Sequence, residues 1–133
     1  MAGFKSDSQS NAVLDFEYGS GTPATLYCAL STSTPTSSGS GFTEPVGNGY
    51  ARVAVTNNAT NFPAAASKTK HNGTTITFPA ATGAGWGTIT WAGWYDAASG
   101  GNFRGAGPLG TAKTVASGDT LSFAASAFTA TES

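Results

Sequence analysis

The side chains able to do chemistry are few, and their spacing limits what they can do. The chain has one histidine, His71, and one cysteine, Cys28. A hydrolytic nucleophile needs a base beside it. His71 lies in the polar segment Lys68-Thr69-Lys70-His71-Asn72-Gly73, far in sequence from Cys28, and is expected to be a solvated loop histidine. One His and one Cys cannot supply the three or four ligands of a zinc site; metal through carboxylates is possible but nothing in the sequence supports it, and neither a metal nor a cofactor is expected. Cys28 cannot form an intrachain disulfide, and its setting in Leu26-Tyr27-Cys28-Ala29-Leu30 is that of a small buried hydrophobe. Glycoside hydrolysis needs two carboxylates facing across a cleft. The candidates are Asp7, Asp15, Glu17, Glu44, Asp96, Asp119 and Glu132. Asp96 and Asp119 fall at tight turns, where Asp side chains bond nearby backbone N–H groups. Gly83-Ala84-Gly85 and Gly105-Ala106-Gly107 neither open a helix after a strand nor carry the Lys-Ser/Thr of a phosphate loop. The expectation is a protein without catalytic residues.

The aromatic cluster Trp86, Trp91, Trp94 and Tyr95 is more informative. Trp and Tyr either fill cores or anchor binding surfaces. Period-two alternation places Trp86 and Trp94 on one face of a strand and Trp91 with Tyr95 on the other, unless Gly93 introduces a bulge. Both faces of a sandwich strand cannot be core, so at least one of these rings is expected to be exposed or to meet a partner.

The elements that must position these residues follow from pattern. Ser6 to Phe16, with early Asp7, fits a short helix or ordered arm. Thr22 to Ser31 reads as a strand with Leu26, Cys28 and Leu30 on one face. Tyr50 to Thr56 alternates as a second strand, Thr74 to Phe78 is a short β-branched one, and Trp86 to Asp96 is the strongest. Asp96 to Gly101 is a hairpin turn into Asn102 to Ala106, and Ser117-Gly118-Asp119 is a turn between Thr111 to Val115 and Thr120 to Ala124. A last strand covers Ala127 to Thr131. Two long polar loops, Ser31 to Gly49 and Asn57 to Asn72, interrupt the series; Phe42 and Val46 are expected to pin the first. About eight short strands without an interior helix indicate an all-β, jelly-roll-like antiparallel β-sandwich, with an arm or short helix over 1–20 and a single domain over 21–133.

Composition narrows the partners. Six Lys/Arg stand against seven Asp/Glu in 133 residues, which leaves no footprint for a phosphate backbone or an anionic lipid surface. Neither nucleic acid nor membrane is expected. No apolar run approaches the ~18 residues of a membrane span, and Met1 to Glu17 lacks a charged segment followed by an apolar core. Synthesis in a cytoplasm is expected, with any exit inside something else. A mostly neutral Ser, Thr, Gly and Ala exterior suggests burial of part of it in an assembly.

The order of segments resembles a family of small structural proteins of tailed-phage virions, of the capsid-decorating kind. The resemblance is carried by Ala24-Thr-Leu-Tyr-Cys-Ala-Leu-Ser-Thr32, the loop with Thr43-Glu44, Gly49-Tyr-Ala-Arg-Val-Ala-Val55, Thr75-Ile-Thr-Phe-Pro-Ala80, Trp86-Gly-Thr-Ile-Thr90, Tyr95-Asp-Ala-Ala-Ser-Gly-Gly101 and Lys113-Thr-Val-Ala-Ser-Gly-Asp-Thr120. It implies a virion component at the capsid surface, assembled in the host cytoplasm, that binds the major capsid protein and copies of itself, as a homotrimer, without catalytic residues. Residues assigned to contacts on this reading are Phe4, Phe42, Glu44, Trp86, Trp91, Trp94 and Arg104. The arm Met1 to Ser10 and the loop Ser31 to Gly49 would reach across to neighbours and order on binding. The rival readings are a tail-fibre or baseplate component, a carbohydrate-binding module using Trp91 or Trp94 as a sugar platform, and a small β-sandwich glycosidase that lacks a convincing acid–base pair.

Overall fold

The computed structural model describes residues 3 and 5–131. Phe4, one of the expected contact residues, lies outside them. Among the described residues there are eight strands and one helix, in the order α1, then β1 to β8, an all-β fold of the sandwich class with a short N-terminal helix. The chain divides into two compact units.

The first unit comprises Met1–Thr25, Thr56–Thr75 and Phe123–Ser133. Its helix α1 (Asp7–Glu17) starts where Ser6 can cap it, the hydroxyl accepting from the Gln9 N–H at 3.1 Å, with Asp7 in the first turn where a negative charge suits the helix dipole. The buried stripe is Ser10, Leu14 and then Tyr18, one every four residues, whereas Phe16 is 66% exposed. The Tyr18 ring lies 5.5 Å from that of Phe62. β3 (Thr69–His71) pairs antiparallel with β8 (Thr129–Thr131), Lys70 opposite Ala130. His71 is exposed, as expected, but on this strand rather than in a loop.

The segment from Asn57 to Asn72 has little regular structure, and two buried asparagines hold it. The Asn57 side chain accepts from the Gly19 N–H and donates to the Pro23 carbonyl. Asn72 donates to the carbonyls of Thr74 and Ala124, both at 2.9 Å, and accepts from the Phe128 N–H. A buried amide is costly unless its hydrogen bonds are made. Here the making of them ties three chain segments together. Lys70, buried, reaches Asp15 Oδ1 at 2.8 Å, and the same oxygen accepts from the Ala65 N–H.

The second unit comprises Leu26–Val55 and Ile76–Ser122. A four-stranded sheet has the order β2-β1-β5-β6, built from β1 (Thr25–Ser31), β2 (Val53–Thr56), β5 (Gly87–Tyr95) and β6 (Phe103–Val115). β4 (Ile76–Thr77) and β7 (Ser122–Phe123) form a two-stranded sheet. β1 and β5 are interior and antiparallel, with Cys28 opposite Trp94 and Leu30 opposite Ala92. Interior position explains why Cys28, Ala29, Leu30 and Ser31 are all buried in succession, where alternation alone predicts one covered face. Burial pushes the Cys28 thiol far up, which makes it an inert hydrophobe.

Most strands are shorter than the pattern predicts, and two regions differ in kind. β2 starts at Val53, and Tyr50 and Arg52, expected within it, precede it with their side chains on Glu44. β6 runs unbroken from Phe103 to Val115 where two strands were expected. Its Pro108 is tolerated because β6 is the edge of the sheet and needs no donor on its free side. The expected bulge is not at Gly93, which pairs in register with Ala29 and Ala106; the register breaks between Ile89 and Trp91 and between Trp94 and Tyr95.

Candidate functional site

Within the second unit, one sheet face is sealed and the other is dressed by a loop. Leu26, Leu30, Ile89 and Trp94 are fully buried. Trp86 is also in the core, its indole N–H donating to the Asn48 carbonyl at 2.8 Å and its ring edge-on to Tyr50 at 5.3 Å. Trp86 and Trp94 therefore cannot be the contact residues that their type suggested, because their area is already spent on the interior.

The loop Ser31 to Gly49 is expected to be loose until bound. Instead it is braced on itself: the Ser31 hydroxyl accepts from the Thr43 N–H at 2.9 Å, Thr32 N–H meets the Thr43 carbonyl at 3.0 Å, and Thr36 N–H meets Ser40 at 2.8 Å. Phe42 pins it, as expected, packing against Tyr95 and Phe103 at 5.5 and 5.8 Å between ring centres. Val46 does not, being 90% exposed. Two glycines make the seat possible. A Cβ on Gly93 would lie 2.7 Å from the Phe42 ring, and one on Gly39, at φ +87°, would lie 2.9 Å from Phe103 Cβ. Glycine is used here for close approach.

A charged clamp lies next to this seat. Glu44 accepts from Arg52 Nε at 3.0 Å and Nη2 at 2.7 Å, and from the Tyr50 hydroxyl at 2.6 Å. Arg52 Nη1 donates to the carbonyls of Ala97 and Gly100, both at 2.8 Å, and its guanidinium sits 3.9 Å above the Tyr95 ring. The bidentate carboxylate raises the Arg52 pKa further. Burial, with the Glu44 hydrogen bond, holds the Tyr50 phenol far above its ordinary range. Glu44, expected to face a partner, is thus occupied within the chain, joining the loop to the β5–β6 hairpin. Arg52, Tyr50 and Phe103 were not singled out by sequence, because an alternating Tyr-Ala-Arg pattern is equally that of a solvated strand face.

The carboxylates suspected of acid–base work have structural partners. Asp96 accepts from the Asn102 N–H at 2.7 Å and from its amide at 2.8 Å, which holds its carboxyl below the usual range, with Arg104 acting in the same direction. Asp119 accepts from the Ala116 N–H at 2.9 Å. Among the described residues, no three His, Cys, Asp or Glu gather as a metal site would require.

A groove of about 300 Å³ is lined by Pro35, Thr36 and Ser37 of the loop, Trp91 of β5, and residues 103–106 of β6. Trp91 is half-buried, unlike the other two tryptophans. Arg104 and the Ser37 hydroxyl make no hydrogen bond or ion pair among the described residues, although Asp96 feels the charge of Arg104. Of the seven expected contact residues, the fold brings Trp91 and Arg104 together here.

No curated protein gives a significant match to the chain. Residues 5–131 match the family model described as Podophage GP4 fiber I protein gp80. The chain therefore belongs to that family, a family of virion structural proteins of tailed phages.

Proposed function

We propose that the chain is a non-enzymatic component of a podophage fibre, working by assembly with copies of itself and with neighbouring virion proteins. The observation that carries the reading is the family match, which spans nearly the whole chain and concerns a fibre protein. It favours a tail-fibre role over the capsid-decorating role that segment order alone suggested. The structure supports binding over catalysis in a specific way: the carboxylates at the β5–β6 hairpin and at the turn before β7 close those turns, and Cys28 is sealed. Exposed Phe16 and Val46 are large apolar side chains of the kind that anchor contacts in an assembly. β6, one of the two edge strands of the four-stranded sheet, carries Pro108 and Lys113, residues that discourage strand addition. Contacts through side chains suit it better than an extended shared sheet.

Immunogold labelling of purified virions, with the copy number measured by mass spectrometry against the major capsid protein, tests this. Label on fibres and a low copy number are expected. Hundreds of copies spread over the head would reject the fibre assignment and support decoration.

A further inference from the structure

We infer that the groove at Trp91 and Arg104 is a binding site for a carboxylate-bearing saccharide. The inference rests on the groove alone and holds whichever virion structure carries the chain.

The groove combines three unused resources. The first is an aromatic floor. Trp86 and Trp94 are 5% and 0% exposed, yet Trp91, on the same strand, stays half-buried and beside Phe103 in the groove. A half-buried indole offers an apolar surface suited to the C–H face of a pyranose. The second is a guanidinium whose donors make no hydrogen bond among the described residues. Arg52, Lys68 and Lys70 each hold a carboxylate. Arg104 makes no ion pair among the described residues, although the charge of nearby Asp96, whose oxygens accept from Asn102, acts on it. A guanidinium left in this way, beside an apolar floor that excludes part of the water, favours a planar anion that can accept two parallel hydrogen bonds. The third is spare hydrogen-bonding capacity: the Ser37 hydroxyl and the Trp91 indole N–H have no partner among the described residues. The Thr36 hydroxyl, by contrast, is engaged with Ser38 and Ser40.

These resources select a ligand class. A volume of about 300 Å³ is at the small end of the ~300–1,000 Å³ typical of ligand sites, so it suits one ring-sized group of a longer molecule. The free groups on the side chains that face it are mainly donors, so the occupant should be rich in acceptors and negatively charged. A sugar acid within a polysaccharide has the apolar ring face, the hydroxyls and the carboxylate together. A nucleic acid would instead need a run of cations along its backbone, and six Lys/Arg against seven Asp/Glu do not provide one. The site is also held in shape without ligand, because Phe42 and the hydrogen bonds of the loop fix Pro35 to Ser37 over β6. Preorganisation of this kind lowers the cost of binding.

The test is an array of saccharides from bacterial surfaces, acidic and neutral, probed with the full chain. The strongest acidic hit and its carboxyl-reduced counterpart are then titrated by tryptophan emission. Recognition confined to carboxylate-bearing saccharides is expected. Arg104→Gln should weaken binding at least about tenfold, the loss of a charge-assisted contact, while leaving the melting temperature unchanged. Trp91→Ala should abolish binding and Trp91→Phe should retain part of it. Equal binding of acidic and reduced forms, no acidic hit at all, or unchanged affinity in a folded Arg104→Gln variant would overturn the inference. The position of the protein on the virion is read separately by labelling, so failure here and failure of the fibre assignment are distinguishable.

Discussion

Glu44→Ala isolates the clamp that holds the loop Ser31 to Gly49 to the β5–β6 hairpin. The carboxylate takes three hydrogen bonds, two from Arg52 and one from Tyr50, at 2.6 to 3.0 Å. The side chain of Arg52 is 7% exposed and that of Glu44 is 24%. Stripping one partner from a fully buried pair costs about 3–5 kcal/mol, because the other charge is left uncompensated. Two features reduce that figure here. Arg52 keeps the carbonyls of Ala97 and Gly100 and the Tyr95 ring, and water can reach the space that Glu44 leaves. A loss of about 2–3 kcal/mol follows. For a chain of this size it corresponds to a melting temperature lower by roughly 6–12 °C. Glu44→Gln keeps an acceptor for Tyr50 but loses the charge, and should fall between. Thermal unfolding followed by tryptophan emission is the direct assay, since Trp86, Trp91 and Trp94 all lie in the same unit as the clamp. A melting temperature for Glu44→Ala within about 2 °C of the parent would refute the reasoning and leave Phe42 and Ser31 as the real fasteners.

Three further outcomes are expected. Gly93→Ala should cost about 1–3 kcal/mol by overpacking against Phe42, and Phe42→Leu in the same chain should recover part of it, a non-additivity that urea unfolding would detect. Asp15 has its carboxyl held below the ordinary range by the Lys70 hydrogen bond, against the opposing effect of burial and helped by the Ala65 N–H. A depressed folded pKa stabilises above the unfolded value of about 3.9 and is lost as pH falls through the folded one. The stability margin of the parent over Asp15→Asn should therefore be constant from about pH 7 to 5 and close below about pH 4; a margin that persists in acid would contradict the Lys70 pairing. Cys28, fully buried with its pKa raised, should react with a thiol reagent only in denaturant, and rapid labelling of the native protein would show that β1 is not an interior strand.

Local chemistry made several features legible in the sequence. Strands dense in β-branched and aromatic residues, the turns at Asp96 to Gly101 and at Ser117 to Asp119, the buried Cys28 and a short helix or arm over Ser6 to Phe16 all depend on interactions within a few residues. Such interactions are written in neighbouring side chains. The pinning role of Phe42 was legible for a related reason, as a large ring in an otherwise polar loop cannot stay in water without loss. Alternation set Trp91 apart from Trp94, and their burial differs accordingly, although two register breaks within β5 interrupt the strict period.

Tertiary structure alone decided which of those faces was covered, and by what. Trp86 became core because Tyr50, Phe78 and the Asn48 carbonyl meet it, whereas the loop carrying Phe42 covers the other face at Gly93 and leaves Trp91 half-buried beside Pro35 to Ser37. Glu44 and Arg52 met because the loop returns beside the hairpin, and Asn57 and Asn72 became braces only once distant segments supplied carbonyls and N–H groups for them. Each of these depends on contacts between residues far apart in the chain. Periodicity states that a strand has two sides, but the covering of a side is a property of its long-range partners.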